Sequence, residues 1–313
     1  MLIPEGCSEV ARFINRRSVV SGMTEIDTKL VKQLIRTQFP LWAGLPVAAV
    51  QNDGWDNRTF RLGDNMSVRL PSAARYVAQV EKEQRWLPVL RPHLPLPIPI
   101  PIGLGAPGAG YPWPWSIYLW LDGASAHADQ IPDLNRFAVD LADFLVALRR
   151  IDARNGPIAG AHNFHRGGSL AVYDTETRQS IADLAVTIDV AGVTDVWDAA
   201  LATSWQEPLV WVHGDIAETN LLVKAGRLHA VIDFGCSGVG DPSCDLAIAW
   251  TFFDPAGRKE FRAAVALDPA TWRRARGWAM WKALITLVQC RDANPIRARK
   301  ARQVIRNILD DQE

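Results

Sequence analysis

The spacing of apolar residues changes partway along the chain. Before residue 121, short apolar runs alternate with turn residues, which predicts strands at 47–51, 59–62, 66–70 and 116–121. Beyond residue 124, apolar residues recur every three or four positions, which predicts helices. These lie at 132–152, 174–188, 194–204, 256–267, 269–290 and 294–310. The pattern predicts an α+β fold, with a small antiparallel-sheet lobe at 23–121 and a larger, mainly helical lobe at 122–313.

Two helices are also predicted in the small lobe. One starts after Met23, with Thr24 as its cap and a stripe of apolar residues beyond it. The other covers 73–90. Residues 1–22 carry no long apolar run and are therefore not a secretory signal. We expect them to form a loosely held extension, with Met23 as the natural start.

A short segment in the second half of the chain carries three polar side chains around a predicted hairpin. Asp215 ends a loop after an apolar run, and Asn220 follows it. Strands at 221–223 and 228–232 then surround a short turn, and Asp233 ends the second strand. Because a hairpin returns the chain on itself, Asn220 and Asp233 are expected to meet at its open end. Two oxygen donors there suit a hard divalent cation, with Asp215 beside them to accept a proton.

The same segment carries the spacing of protein-kinase catalytic residues, Asp-x-x-x-x-Asn followed by Asp-Phe-Gly. With its His-Gly-Asp form and the motif Gly240-Asp-Pro-x-x-Asp245-Leu, it resembles the aminoglycoside phosphotransferase family of kinase-like small-molecule kinases. The resemblance implies a protein-kinase-like fold and ATP or GTP as co-substrate with Mg²⁺. It also implies Asp215 as the catalytic residue and Asn220 and Asp233 as metal ligands. The two aspartates of the last motif are expected to brace the catalytic loop.

The resemblance further implies a nucleotide site in the small lobe. Arg69, in the third strand, stands where the family has a basic residue for the α- and β-phosphates, and a guanidinium can make a forked phosphate contact. Glu83 is expected to pair with Arg69, whereas Glu81 is expected on a solvated helix face. Gly54 and Asn57 lie between the first two strands and are candidates to approach the phosphates. The alternative for both is an ordinary polar hairpin.

The strand at 116–121 corresponds, by the same resemblance, to the hinge between the lobes. Backbone groups near Leu119 and Leu121 are expected to form hydrogen bonds with adenine. Upstream, Gly103-Leu-Gly-Ala-Pro-Gly108 matches Gly-x-Gly-x-x-Gly, but a dinucleotide site needs a strand before this pattern and a helix after it. Alternate prolines precede the run and Pro107 lies inside it. We therefore reject a dinucleotide site and expect the segment to cross between strands.

The composition narrows the class of partner. Lys plus Arg equals Asp plus Glu, 34 each, so no global charge draws the chain to nucleic acid or anionic lipid. No apolar run reaches the length needed to span a membrane. The 4 cysteines show no metal or redox spacing, which favours free thiols in a reducing cytoplasm. None of these features specifies an oligomeric state.

The acceptor is expected to be a small molecule with a hydroxyl group, either an antibiotic or a metabolite. The C-terminal helices carry few acids but several aromatic residues: Trp250, Phe252, Phe253, Trp272, Trp278 and Trp281. These either line a pocket for a bulky acceptor of low charge or form the core of the large lobe. The basic residues at 294–310 are expected on a solvated face. In the loop at 163–168, His165 and Arg166 are candidates for substrate contact, with solvated side chains as the alternative.

Two hypotheses follow from these observations. The first is a kinase-like phosphotransferase that moves the γ-phosphate of ATP or GTP to a small-molecule hydroxyl. The second is a non-catalytic nucleotide-binding scaffold with the same fold. The sequence favours the enzyme because each catalytic position is filled, and a measurement of nucleotide hydrolysis or phosphotransfer distinguishes the two.

Overall fold

The computed structural model describes residues 25–50 and 56–311. In the smaller lobe, five strands form an antiparallel sheet in the order β1-β2-β3-β5-β4. They are β1 (Val47–Ala49), β2 (Asn57–Leu62), β3 (Met66–Pro71), β4 (Pro101–Gly105) and β5 (Trp115–Leu119). Two helices accompany the sheet, α1 (Thr28–Gln38) and α2 (Val77–Leu90). The predicted sheet is confirmed, whereas the extension at 1–22, Met23 and Thr24 lie outside the described residues.

Helix α1 begins at Thr28, later than the sequence pattern suggested. Asp27 is its N-cap, and its carboxylate accepts a hydrogen bond from the N–H of Leu30 at 2.8 Å. The apolar stripe beyond this cap is buried against the sheet, where Leu34 joins a cluster that includes Phe60 and Trp115.

The glycine run forms an edge strand, β4, that the sequence analysis did not predict. It pairs with β5 rather than crossing between strands. The prolines misled the prediction, but Pro101 is the first residue of an edge strand, where a missing N–H breaks no ladder bond. After Gly105 the chain turns tightly through reciprocal backbone bonds between Gly108 and Tyr111, at 2.8 and 2.9 Å. The next regular element is β5 and not a helix, so the run lacks the context of a dinucleotide site.

The larger lobe is mainly helical and contains the hairpin. Its elements are β6 (Ala124–Ser125), α3 (Leu134–Arg149), α4 (Asp174–Asp183), α5 (Val190–Leu201), β7 (Val210–Val212), β8 (Leu221–Lys224), β9 (Arg227–Val231), β10 (Gly238–Gly240), α6 (Ile248–Thr251), α7 (Pro255–Val265), α8 (Pro269–Cys290) and α9 (Pro295–Asp310). The predicted helices are present, although α4 ends early and α5 starts early relative to the sequence pattern. Within the described residues, no helix combines the length and apolarity needed to cross a membrane.

The buried side chains form two main clusters that do not follow the order of the chain. The smaller cluster joins α1 to the sheet. The larger one fills the helical lobe and also takes in Leu87 and Leu90 of α2 and Tyr118 of β5. Helix α2 is therefore packed into the core of the larger lobe, although along the chain it comes between β3 and β4 of the small sheet.

The aromatic residues of the C-terminal helices are core residues. The exposed fractions of their side chains are at most 8%. Trp250, for example, is fully buried, and its Nε1–H donates to the carboxylate of Asp311 at 2.7 Å. Of the six, Trp278 also borders a cavity beside the catalytic segment. The expectation of a bulky acceptor on an aromatic surface is therefore not supported, and the alternative of a tryptophan-rich core is.

Candidate active site

The hairpin of β8 and β9 brings the predicted metal ligands together. Leu221 pairs with Val231, and the N–H of Ile232 donates to the carbonyl oxygen of Asn220 at 2.9 Å. Asn220 and Asp233 therefore lie next to each other at the open end of the hairpin, as the sequence predicted. Asp233 adopts a left-handed backbone with φ of 69°, a conformation that aspartate tolerates better than most residues.

Asp215 contacts Asn220 directly. The side-chain amide of Asn220 donates to the backbone oxygen of Asp215 at 2.9 Å and to its Oδ2 at 3.2 Å. On the other side, Lys282 Nζ donates to Asp215 Oδ1 at 3.0 Å. Burial acts to raise the pKa of Asp215, but the positive charges of Lys282 and Arg166 outweigh it and hold the pKa well below its usual range. Asp215 is therefore a carboxylate at neutral pH and can accept a proton.

The loop that carries Asp215 is held in place by hydrogen bonds to Asp245. The two oxygens of its buried carboxylate accept hydrogen bonds from the N–H groups of His213 and Gly214, each at 2.7 Å. Gly214 has φ of 84°, and a Cβ there would lie 2.2 Å from the carbonyl oxygen of Cys236. This position therefore excludes other residues. Asp245 has the bracing geometry expected from the sequence.

Asp241 belongs to the same motif as Asp245 and holds a second loop, at 163–168. Its carboxylate forms a buried ion pair with Arg274 of α8, with Nε and Oδ2 2.6 Å apart. Its N–H donates to the carbonyl oxygen of Gly167 at 2.7 Å. Because Gly167 directly follows Arg166, this bond holds the loop that places Arg166 beside the catalytic segment.

Arg69 joins the sheet to both α2 and the hairpin. Its Nη1 lies 3.5 Å from Glu83 Oε1, and its Nη2 lies 2.8 Å from Asp233 Oδ1. Tyr118 adds a short hydrogen bond of 2.5 Å from its hydroxyl to Glu83 Oε2. The predicted contact with Glu83 is present, and Glu81 is exposed as expected. The direct contact with Asp233 was not predicted.

The other residues predicted to bind the nucleotide are Gly54, Asn57, Leu119 and Leu121. Gly54 lies outside the described residues. Asn57 is buried as the first residue of β2, and its place at the phosphates stays a prediction. The N–H of Leu119 already donates to the carbonyl oxygen of Ile100 at 3.0 Å, so the predicted contact of this residue with adenine stays a prediction that would have to use its carbonyl oxygen. Leu121 lies beyond the end of β5 and stays a candidate.

A cavity opens beside Asp215, between the loop at 214–218, α8 and α9, with a volume of about 230 Å³. Arg297 and Lys300 of α9 line it, together with Arg166. Arg297 and Lys300 are exposed, as expected for the basic side of α9, and they also border this cavity. Helical periodicity identifies a polar side of a helix but not what that side faces.

Lys282 and Asp56 also belong to this site, although their place in it was not predicted from the sequence. Lys282 is the single charged residue in the mostly apolar stretch 277–287 of α8, and this signal could have identified it. Asp56 precedes β2, and its Oδ2 accepts a hydrogen bond from Gln79 at 3.1 Å. Burial raises the pKa of Asp56, and the charges of Asp233 and Asp215 act in the same direction. Asp56 is therefore a third carboxylate facing this site.

The donor atoms at the hairpin suit a cation that is shared with phosphates. Among the described residues, no group of three or more His, Cys, Asp or Glu side chains is arranged to hold a metal ion. Asn220 and Asp233 nevertheless place an amide and a carboxylate at the open end of one hairpin. Mg²⁺ commonly takes only one or two protein carboxylates and fills its remaining positions with phosphate and water oxygens. The residues present therefore fit that ion.

A comparison with known protein families identifies one family whose model matches most of the chain. The model of the phosphotransferase enzyme family, APH, matches residues 48–278. No curated protein matches the chain.

Among solved structures, the fold is similar to APH(2″)-IIIa in complex with GDP and kanamycin, at 17% identity and a TM-score of 0.71, over 90% of this chain and 99% of that one. It is also similar to the ternary complex of APH(2″)-IIa with streptomycin and ATP, at 16% identity and a TM-score of 0.59, over 91% and 97% of the two chains. Macrolide 2′-phosphotransferase MphH from Brachybacterium faecium matches at 20% identity and a TM-score of 0.56, over 88% and 97%. At these identities the three structures establish the fold alone.

Proposed function

Since the chain belongs to the phosphotransferase enzyme family, we propose that it transfers the γ-phosphate of ATP or GTP, with Mg²⁺, to a hydroxyl group of a small molecule. The observation that carries this proposal is the contact of Asp215 with Asn220, which the hairpin places beside Asp233. One similar structure contains GDP and another contains ATP, which supports a nucleotide as the phosphate donor. Action in the cytoplasm fits this proposal, because nucleoside triphosphates are available there and thiols stay reduced. Cys236, Cys244 and Cys290 are free thiols.

In the proposed reaction, Asp215 accepts the proton of the acceptor hydroxyl as its oxygen forms a bond to the γ-phosphorus. The bond between that phosphorus and the β–γ bridging oxygen breaks, and a nucleoside diphosphate leaves. Asn220 and Asp233 would hold Mg²⁺, which neutralises charge on the phosphates. Arg69, fixed by Glu83, would contact the nucleotide phosphates once its bond to Asp233 is exchanged. Positioning and charge neutralisation then supply most of the rate.

Labelled nucleotide tests this proposal against the scaffold alternative. The protein is incubated with γ-labelled ATP or GTP, with Mg²⁺ or with EDTA, both without an acceptor and with a panel of hydroxyl compounds. We expect Mg²⁺-dependent release of label to water, and faster transfer when an acceptor is present. Nucleotide binding detected by thermal shift, with neither hydrolysis nor transfer under any of these conditions, would instead support the scaffold.

Lys282→Met is expected to change the pH dependence of the reaction. Lys282 is the largest favourable influence that lowers the pKa of Asp215, so its removal raises that pKa. A higher pKa means that Asp215 becomes protonated, and inactive as a base, at a higher pH. The acid limb of the kcat against pH profile should therefore move towards neutral pH.

Lys259→Met serves as the control, because Lys259 is an exposed lysine of α7 that does not line the cavity at Asp215. Its profile should coincide with that of the unmodified protein. An acid limb that stays in place in Lys282→Met would contradict the assignment of Asp215 as the group that must be ionised.

A further inference from the structure

The cavity beside Asp215 contains more positive than negative side chains. Six charged residues line it, of which four are basic and two acidic: Arg166, Lys282, Arg297, Lys300, Asp215 and Glu218. Both acids already have a lysine partner. Lys282 Nζ lies 3.0 Å from Asp215 Oδ1, and Lys300 Nζ lies 3.0 Å from Glu218 Oε1. The unbalanced charge therefore belongs to the two arginines.

Among the described residues, Arg166 forms no direct ion pair, although its charge acts on the nearby Asp215 carboxylate and lowers the pKa of that group. Its guanidinium lies over the rings of Trp281 and Trp278, at 4.7 and 5.3 Å from their centres. Its backbone oxygen accepts a hydrogen bond from the amide of Asn163 at 2.8 Å. Its Nε is buried and has no hydrogen-bond partner among the described residues. A guanidinium that stacks on aromatic faces keeps its N–H edge free for a planar or tetrahedral anion.

The backbone of this loop shows that the placement of Arg166 is enforced. Phe164 and His165, which precede it, both adopt positive φ, at 53° and 55°, and Gly167 follows at 81°. Two successive non-glycine residues in this region are strained and persist only when the surroundings hold them. The amide of Asn163 also donates to the carbonyl oxygen of Cys236 at 3.3 Å, which joins the loop to the turn that follows the hairpin.

Arg297 supplies the second guanidinium. It extends from the first turn of α9, and it has no ion pair among the residues that the structure describes. The uncharged part of the lining includes the small apolar side chains of Ala247, Ala279 and Ala283. No unpaired carboxylate is present in the described lining to receive an ammonium group. A volume of about 230 Å³ lies below the range of about 300–1,000 Å³ that is usual for ligand pockets, which favours a small acceptor.

We propose that the acceptor is a small hydroxyl compound that also carries an anionic group, a carboxylate or a phosphate, bound by Arg166 and Arg297. This rests on the proposed phosphotransfer, because it takes the cavity to be the acceptor site. The hydroxyl gives its proton to Asp215 and its oxygen bonds to the γ-phosphorus, while a nucleoside diphosphate leaves. The product is a phosphate ester that retains the anionic group. A polycationic acceptor would bring its ammonium groups against the basic side chains.

Matched pairs of acceptors test this directly. Glycerate is compared with glyceramide, glycerol 3-phosphate with glycerol, and 4-(hydroxymethyl)benzoate with its amide, and kanamycin represents a polycation. Transfer is measured with γ-labelled ATP and GTP. At least one acid should have kcat/KM about tenfold or more above its neutral partner, since hydrogen bonds to charged groups are worth that much. The result for the carboxylates and for glycerol 3-phosphate distinguishes the two kinds of anion. Equal use of neutral partners, or a preference for kanamycin, would overturn the proposal.

Variants of α9 link the preference to the cavity. Arg297→Gln should raise KM for the preferred acid by about tenfold and leave KM for its neutral partner nearly unchanged. Arg299→Gln is the matched control, because Arg299 is exposed on the same helix and does not line the cavity. An equal effect of the two variants, or no effect of Arg297→Gln, would contradict the assignment.

Calorimetry separates this inference from the proposed reaction. Binding of the same acids is measured without nucleotide, for the unmodified protein and for Arg297→Gln. Acid binding that is lost in Arg297→Gln supports the inference even if no phosphate is transferred, in which case the proposed reaction alone fails. Nucleotide hydrolysis without binding of any of the three acids would retain the reaction and overturn the inference. Absence of both would overturn both.

Discussion

Asp215→Asn is expected to lower kcat for phosphotransfer by about 10²- to 10⁴-fold, the usual contribution of a general base. The replacement has nearly the same shape, but it removes the negative charge that accepts the proton and pairs with Lys282. The backbone oxygen that Asn220 contacts is unaffected. Affinity for the nucleotide should therefore change little, because the variant keeps Arg69 and Asp233. Labelled transfer measures the rate, and titration with nucleotide measures the affinity.

Asp195→Asn is the matched control for this variant. Asp195 is an exposed aspartate of α5, and the same change of charge there should leave kcat unaltered. If Asp215→Asn retained a rate within about tenfold of the unmodified protein, general-base catalysis by Asp215 would be ruled out. If it lost nucleotide affinity as well, Asp215 would be acting on nucleotide binding instead.

Arg274→Met is expected to give the largest loss of stability, about 3–5 kcal/mol in the free energy of unfolding. Arg274 and Asp241 are both almost fully buried, and Arg274 also donates to Thr271 Oγ1 at 3.0 Å. Removal of the guanidinium leaves the Asp241 carboxylate buried without its partner, which is the costly step. Urea unfolding followed by circular dichroism measures the change.

Arg178→Met provides the comparison on the surface. Arg178 also bridges two acids, Asp174 at 2.9 Å and Asp198 at 2.7 Å, but its side chain is 46% exposed. Its loss should cost less than about 1 kcal/mol, because water screens exposed pairs. Similar losses for the two variants would show that the buried pair is not energetically distinct. The double variant Asp241→Asn with Arg274→Met should lose less than Arg274→Met alone, since no buried charge is left unpaired.

The parts of the site that the sequence predicted depend on contacts between residues that are close to each other in the chain. Asn220 and Asp233 are brought together by one hairpin, so their spacing and the turn between them were sufficient. The fold class followed from the change of apolar period. The pairing of Arg69 with Glu83 came from resemblance, and its geometry is present in the structure.

The parts that the sequence did not predict depend on packing between distant segments. Lys282 reaches Asp215 across 67 residues of chain, a contact that no local pattern encodes. Arg297 and Lys300 of α9 are exposed as predicted, but periodicity did not indicate that they also border a cavity. Strand β4 was missed because prolines disfavour strands in general, whereas an edge position tolerates one at its first residue. The availability of the Leu119 amide likewise depended on Ile100, in a segment with no predicted structure.

The packing of α2 has a mechanical consequence for access to the cleft. Leu87 and Leu90 anchor this helix in the large core, so Glu83 is carried by the same rigid unit as the hairpin and Asp233. Arg69 belongs to the sheet on the opposite side. A swing of the sheet away from the helical lobe would separate the Arg69 guanidinium from both carboxylates and would also break the bond of Tyr118 to Glu83. Arg69 and Tyr118 therefore hold the sheet against Glu83 and Asp233, and these contacts would have to break in any widening of the cleft that admits a nucleotide.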